Sequence, residues 1–524
     1  MLQTNMVTIN NNLRKGVRPF ILLSLILITF SVNSQKKELL DNFFDRDFQL
    51  ALFQKRYKQF PSLLEIGNIS KFTAGSLRYL QSKGAFKHLQ SPKKVSGLVF
   101  ETSSLAPLKK TNWHLFGALK YSNTRNEDVE MNLSYQIYDY NSPYYFFQGK
   151  EGLWNHQSYD FSVIGSNKIA QKWTLGVQLD YLTNFYFRKN DTRNEKTTLD
   201  IIGKISATYL KSEKQSFSFA FVVERLKRKS ILTDKFQENK NESIYFRYFN
   251  IGLGSYLKNI QNGAESLRNI YGTQLQWLYN TINFDFSIQS VTKIGKDKWM
   301  NTSISLVDRS NAISNYNFFE QNFTLIYNKY NTNKNYFNVV LDLNYLNGFG
   351  SYWDEDSLLF NENYTATQYN TSVAASAFYH NKIIKKLGIK IDYFSRNQYD
   401  ANFGYQFNNS SVNPQINVGL NKKISRKNHL FSDFKLRYQH NFNVVHKPFA
   451  AKNLYVDLIG NPLADFLNVN NIGFYNRIGI NKKIGLKNIE VAFTTFYRKP
   501  IGDNIGKYKS SDFSTILLDF SYYF

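Results

Sequence analysis

The sequence contains no cysteine. That excludes disulfides, thiolate metal sites and a lipid anchor on an N-terminal cysteine. It also lacks the runs of about 20 apolar residues that helical membrane spans require. Its one long apolar run, FILLSLILITF (Phe20–Phe30), is too short to span comfortably and stands near the start. Catalytic and nucleotide signatures are missing too: no H-E-x-x-H, G-x-S-x-G, P-loop or dinucleotide fingerprint occurs. Mean hydropathy is only −0.43.

Against these absences stand 45 Phe and 36 Tyr, an aromatic share of 17%. Abundant rings with low mean hydropathy suit strands that are apolar on one side only. Period-two alternation is written along the chain. WTLGVQLDYL sets Trp173, Leu175, Val177, Leu179 and Tyr181 against Thr174, Gly176, Gln178 and Asp180. FSFAFVVE, INFDFSI and FNVVLDLNY repeat the pattern from Phe217, Ile282 and Phe337. The final run, STILLDFSYYF (Ser514–Phe524), places Ile516, Leu518, Phe520, Tyr522 and Phe524 on one face. Trp and Tyr often end the apolar faces, as interfacial girdles require.

The connectors are of two kinds. Asn167–Lys172, Lys211–Gln215, Gly295–Lys298, Asn381–Lys386, Ser425–Asn428 and Asn481–Asn488 read as short, Lys-rich turns. Asn123–His156, Leu226–Glu242, Asn347–Asn363 and Asn441–Asn471 read as long loops. Such asymmetry fits an outer-membrane barrel with tight periplasmic turns and long outer loops. An open sheet in lipid would leave backbone groups unpaired, so the sheet must close. The expectation is an all-β, closed antiparallel transmembrane barrel of about 18 strands, within a range of about 16–20. Ser514–Phe524 should be the closing strand, paired with a first strand inside Lys71–Leu89.

Three segments are expected. Arg14, Lys15 and Arg18 precede the apolar run, and Val32 and Ser34 follow it at small-residue positions. Residues 1–34 therefore read as a secretory signal peptide, cut after Ser34. Residues 35–70 carry helix-like spacing from Leu39 to Phe53 until Pro61 breaks it. They form a periplasmic or lumenal segment. Residues 71–524 form the barrel. Net charge is +25, and with three basic and no acidic residues in 1–34 the remainder keeps +22. Because the lysines are dispersed, the charge marks no nucleic-acid surface. It can serve anionic solutes or lipopolysaccharide phosphates.

LFGALKYSN (Leu115–Asn123), SPYYFF (Ser142–Phe147) and the run from Leu175 to Ser206 resemble a domain-of-unknown-function family of Bacteroidota outer-membrane β-barrels. The chain carries Asp191-Thr192-Arg193-Asn194 where that family tends to have a Pro-containing acidic/Arg motif. The resemblance implies a barrel in the outer membrane but no catalytic residues. It implies a possible accessory partnership with a TonB-dependent uptake receptor or a surface lipoprotein. The terminal aromatic likewise resembles the signal read by the barrel assembly machinery.

The polar strand faces nominate lumenal residues: Lys120, Asp180, Lys204, Glu224, Asp285, Asp342, Lys390, Asp392, Asp433, Lys435, Arg437 and Asp519. They read either as charge rings tuning solute passage or as a salt-bridged interior supporting the wall. In GFGSYWDEDSLLF (Gly348–Phe360), Tyr352 and Trp353 beside Asp354, Glu355 and Asp356 could cap a ligand or hold a hard cation, or be a solvated loop. Seven His are present, and none sits in a catalytic sequence. No cofactor is implied. The function expected is transport-related, as a pore or an accessory uptake subunit. The alternatives are a barrel hydrolase using His114 or His440, and a structural or secretion barrel.

Overall fold

The computed structural model describes residues 58–65, 71–108, 111–134, 139–234, 246–254, 256–258, 263–301, 312–330, 335–354, 359–379, 382–425, 427–447, 454–485, 487–502, 508–509 and 511–523. The expected signal peptide and the helix-like spacing from Leu39 to Phe53 lie outside these residues.

The alternating segments form long strands. In chain order these are β1 (Phe72–Gly84), β2 (Lys94–Pro107), β3 (Trp113–Val129), β4 (Tyr145–Phe147), β5 (Gly152–Ala170), β6 (Trp173–Arg188) and β7 (Arg193–Leu210). Then follow β8 (Gln215–Thr233), β9 (Tyr248–Asn250), β10 (Tyr256–Lys258), β11 (Gly263–Asn280), β12 (Phe284–Asn301), β13 (Ala312–Tyr330) and β14 (Tyr336–Asp354). The last seven are β15 (Leu359–Phe378), β16 (Ile384–Asp400), β17 (Tyr405–Lys423), β18 (Asn428–Lys447), β19 (Asn470–Ile484), β20 (Lys487–Ile501) and β21 (Phe513–Tyr523). All but β4, β9 and β10 belong to one 18-stranded antiparallel sheet. It closes where β21 pairs with β1, from Ala74 opposite Tyr523 to Gly84 opposite Phe513. No described helix is long and apolar enough to cross a membrane.

The two faces divide as the alternation requires. On β6, Leu175, Val177 and Leu179 are exposed, whereas Thr174 and Gln178 are buried. On β8, Phe217, Phe219, Phe221 and Val223 point out, and Ser216, Ser218, Ala220 and Glu224 are buried.

The strand ends correct four expectations. Gly295–Lys298 is no turn; it lies inside β12. Gly348–Asp354 belongs to β14, and Leu359 and Phe360 open β15, so the expected loop there is mostly strand. Residues Asn123–Val129 and Leu226–Thr233 are likewise strand. On β3 and β12 both faces turn polar beyond the apolar band, so the alternation fades while the backbone ladder continues.

Segments of the chain fold into both rims. At the short-turn rim, a 3-10 turn, Pro61–Leu64, is buried against β5, β6 and β7. At the long-loop rim, β4, β9 and β10 form a small sheet inside a large aromatic cluster. A π-turn, Val456–Gly460, and the helix α1 (Asn461–Leu467) complete that cluster.

Candidate functional site

The short-turn plug is held by a cradle of hydroxyls. The Ser62 amide donates to Ser206 Oγ at 2.8 Å, and Ser62 Oγ pairs with Thr208 Oγ1 at 2.7 Å. The Ser62 carbonyl accepts from Thr174 Oγ1 at 3.0 Å and Ser166 Oγ at 3.2 Å. Small polar residues on β5, β6 and β7 thus satisfy one buried backbone segment, as burial demands. Phe60, Leu63 and Leu64 pack with Leu105, Phe116, Ile164 and Ala220. Lys204 Nζ donates to the Lys58 carbonyl at 2.7 Å, and Glu65 pairs with His114.

Above the plug lie two cavities of about 640 and 750 Å³ that share Ile202, Glu224 and Lys293 in their walls. Lys58, Lys204 and Lys293 face Asp180, Glu224, Asp342 and Asp392 around the first. Amides bridge the charges. Asn370 Nδ2 donates to Asn344 Oδ1 at 3.1 Å, and Asn344 Nδ2 donates to Glu320 Oε1 at 2.9 Å. Glu320 in turn lies 3.6 Å from Lys293 Nζ. A chamber with ions of both signs and many amides can hold water and polar solutes.

The cork above is aromatic. Tyr140 stacks on Phe318 at 4.4 Å, Phe146 meets Phe249 at 4.9 Å, and Phe147 stacks on Tyr248 at 5.0 Å. Burial pushes the Tyr140 hydroxyl up to about 12. An ion triad ties cork to wall. Asp297 accepts from Arg268 at 2.7 Å and Arg228 at 2.9 Å, all three being buried. The Arg268 guanidinium lies 5.0 Å from the Tyr140 ring centre. A second anchor is Arg188, which donates to Gln148 Oε1 at 2.8 Å and the Lys150 carbonyl at 2.7 Å.

The barrel distributes the nominated residues unevenly. Asp180, Lys204, Glu224, Asp342 and Asp392 meet around the chamber. Lys390 bonds Asp392 at 2.8 Å, and Lys120 sits opposite Asp160. Asp285 is elsewhere, accepting from Tyr330 OH at 2.6 Å and Asn328 Nδ2 at 2.8 Å. Asp433 pairs with Lys435 at 3.2 Å, and Asp519 with Arg477 at 3.3 Å and Arg78 at 3.4 Å. Arg437 faces Gln415 across the register. Tyr352 packs against the cork. Trp353 and Asp354 end β14, and Glu355 and Asp356 lie outside the described residues.

The histidines are scattered. His114 holds the plug, His440 stacks between Tyr438 and Phe442, and His446 meets Tyr405 edge-on. His156 stacks on Tyr186 at 4.3 Å. No group of His, Asp or Glu among the described residues could hold a metal ion. Sequence reasoning missed Arg228, Arg268, Asp297, Lys293 and Glu320. Arg228 and Asp297 sat in stretches that read as loop and turn; their polar phase within a continuing strand was the usable signal.

Residues 61–524 match a single family from end to end. The chain belongs to DUF6850, a family of unknown function. The DUF6850 match opens at Pro61, the first residue of the plug turn. SPYYFF (Ser142–Phe147) is the stretch that supplies β4 to the cork. No curated protein matches the chain. Among solved structures it is similar to the siderophore receptor PiuA from Acinetobacter baumannii, at 8% identity over 87% of this chain and 82% of that one, TM-score 0.37. The ferric-catecholate import receptor Fiu from E. coli K12 aligns at 9% identity over 87% and 82%, TM-score 0.40. The Pseudomonas putida toluene transporter TodX aligns at 9% over 89% and 92%, TM-score 0.28.

Proposed function

We propose that this DUF6850 chain is an outer-membrane barrel of a Bacteroidota-type envelope with a transport-related, non-enzymatic role. It is a pore closed at rest by its own segments. One observation carries this reading: a charged, polar cavity between the Pro61–Leu64 plug and the aromatic cork, inside a wall that is apolar outward. A barrel that served only as scaffold would have no need of so much space behind two stoppers. The short turns face the periplasm and the long loops face outward. The Pro61–Leu64 plug then sits at the periplasmic rim, where a partner can pull on it. That arrangement also suits an accessory subunit of a TonB-dependent uptake system. Glu65, next to the plug turn, pairs with His114 and helps to seat the plug.

Planar-bilayer recording tests the proposal. The full chain should conduct little, and a chain that lacks residues 35–65 and carries Asp297→Ala to loosen the cork should show steady ion-conducting steps. If neither conducts, the pore reading fails. Co-purification from native outer membranes in mild detergent then decides for or against a stoichiometric receptor or surface lipoprotein.

A further inference from the structure

The outward face of β12 carries only apolar or hydroxyl side chains at Phe284, Phe286, Ile288, Ser290, Thr292 and Ile294. At the rise and tilt of membrane barrel strands, this stretch is about 25 Å tall, the height of the apolar band. The neighbouring strands carry apolar side chains on the same register row. Ile294 pairs with Tyr271 on β11, and Tyr271 pairs with Val223 on β8. All three are exposed.

The rows immediately beyond, toward the long-loop rim, are cationic. The first is Arg225–Asn269–Lys296, the second Lys227–Leu267–Lys298, and the third begins with Lys229 and Glu265. Arg225, Lys227, Lys229 and Lys296 are exposed, and Lys298 is half-exposed. Among the described residues, two outward carboxylates lie close by. Glu265 accepts from Lys227 Nζ at 2.7 Å, and Glu195 stands opposite Ile231, one row beyond Lys229. Five cations thus meet two acids. The buried acid Asp297 does not help, because it faces inward between Arg228 and Arg268.

The contrast with β1–β3 is informative. Lys94 and Arg125 also point outward there, but Glu127 takes both, at 3.3 Å and 3.1 Å. On β8–β12 the charge is left in excess at the height where a membrane presents its headgroup phosphates. From Arg225 to Lys229 is about 13 Å along the strand, and β8 to β12 is about 10 Å across. That footprint exceeds a single phosphate, and Arg with Lys is the donor set that phosphate oxygens favour.

We infer that Arg225, Lys227, Lys229, Lys296 and Lys298 form a binding site for a multiply phosphorylated lipid headgroup in the leaflet at the long-loop rim. The inference rests on the outer-membrane placement proposed above.

The test is reconstitution into phosphatidylcholine vesicles containing diphosphoryl lipid A or its dephosphorylated form, followed by extraction and native mass spectrometry of bound lipid. The full-length protein should retain the diphosphoryl form at least tenfold better. R225Q/K227Q/K229Q/K296Q/K298Q should lose that preference, and K168Q/K172Q/K211Q at the other rim should keep it. Should the fivefold variant fail to assemble, R225Q and K296Q alone should each weaken retention about fivefold. Equal retention of both lipids by the unaltered protein would overturn the site. So would equally tight binding of inositol hexakisphosphate, which would make it a soluble-anion site. Failure of the barrel to enter vesicles would instead overturn the membrane placement.

Discussion

Gly176 and Ser62 approach so closely that no side chain fits between them: a Cβ on Gly176 would lie 2.1 Å from the Ser62 amide nitrogen. Pro61 is nearly as close, its carbonyl carbon 2.4 Å from the same point. Because β6 is laddered on both sides, the plug has to give before the wall does. Gly176→Val should unseat Pro61–Leu64 at a cost of about 1–3 kcal/mol, the usual range for overpacking. The chain has no native thiol, so Gln59→Cys provides a clean reporter. Maleimide labelling there should accelerate sharply in the G176V background. Unchanged labelling would mean that the turn is not held at Gly176.

Asp297 is the shared acceptor of Arg228 and Arg268. Its removal takes the shared carboxylate from two buried guanidinium groups. Asp297→Ala should destabilise the barrel by about 3–5 kcal/mol, read as a lower temperature of gel-shift unfolding. Arg268 also lies over the Tyr140 ring, so the cork should loosen and protease should cut between residues 130 and 151 more readily.

His88 titrates well below its ordinary 6.5, at about 4, first because burial disfavours the charged ring and then because Lys87 and Arg396 repel it. The unfolded segment therefore takes up the proton first. The stability His88 contributes is complete above about pH 6.5 and is lost as pH falls toward 4, to a total of about 3 kcal/mol. The Gln90 amide donates to His88 Nδ1 at 3.2 Å and the Ser91 amide to the His88 carbonyl at 2.9 Å. Hydrogen exchange at both amides, corrected for intrinsic rates, should quicken over that window. His88→Asn should flatten the dependence.

The Tyr144 hydroxyl is shared between the carbonyls of Asn315 and Ser351, at 3.0 and 2.9 Å. Those two residues face each other on β13 and β14, so one side chain pins the cork to one rung of the wall. Tyr144→Phe should cost about 1 kcal/mol. Melting should shift by a few degrees, with the circular dichroism of the sheet unchanged. A loss as large as that of D297A would show that Tyr144 bears more of the cork than this one bond.

The alternation was readable wherever a strand crosses the apolar band. Leu175, Val177 and Leu179 against Thr174 and Gln178 is a local pattern, and one residue of slip would turn every side chain to the wrong face. Strand ends at the long-loop rim were not readable. Lys296 and Asp297 are both polar, yet one faces outward and the other is the buried centre of an ion triad.

What the sequence determined by itself was the closed barrel, its size of about 18 strands and the pairing of its first and last strands. Each follows from period-two patterning and from the backbone's need for partners in lipid. What only the tertiary structure decided was how the lumen is filled. Ser62 meets Thr208 across 146 residues, and the Tyr364 hydroxyl meets the Asn141 carbonyl across 223. Arg228 reaches Asp297 across 69. These contacts depend on the register of strands far apart in the chain, which no local pattern encodes. The same holds for the cationic patch: Arg225 and Lys296 become neighbours only because β11 lies between them.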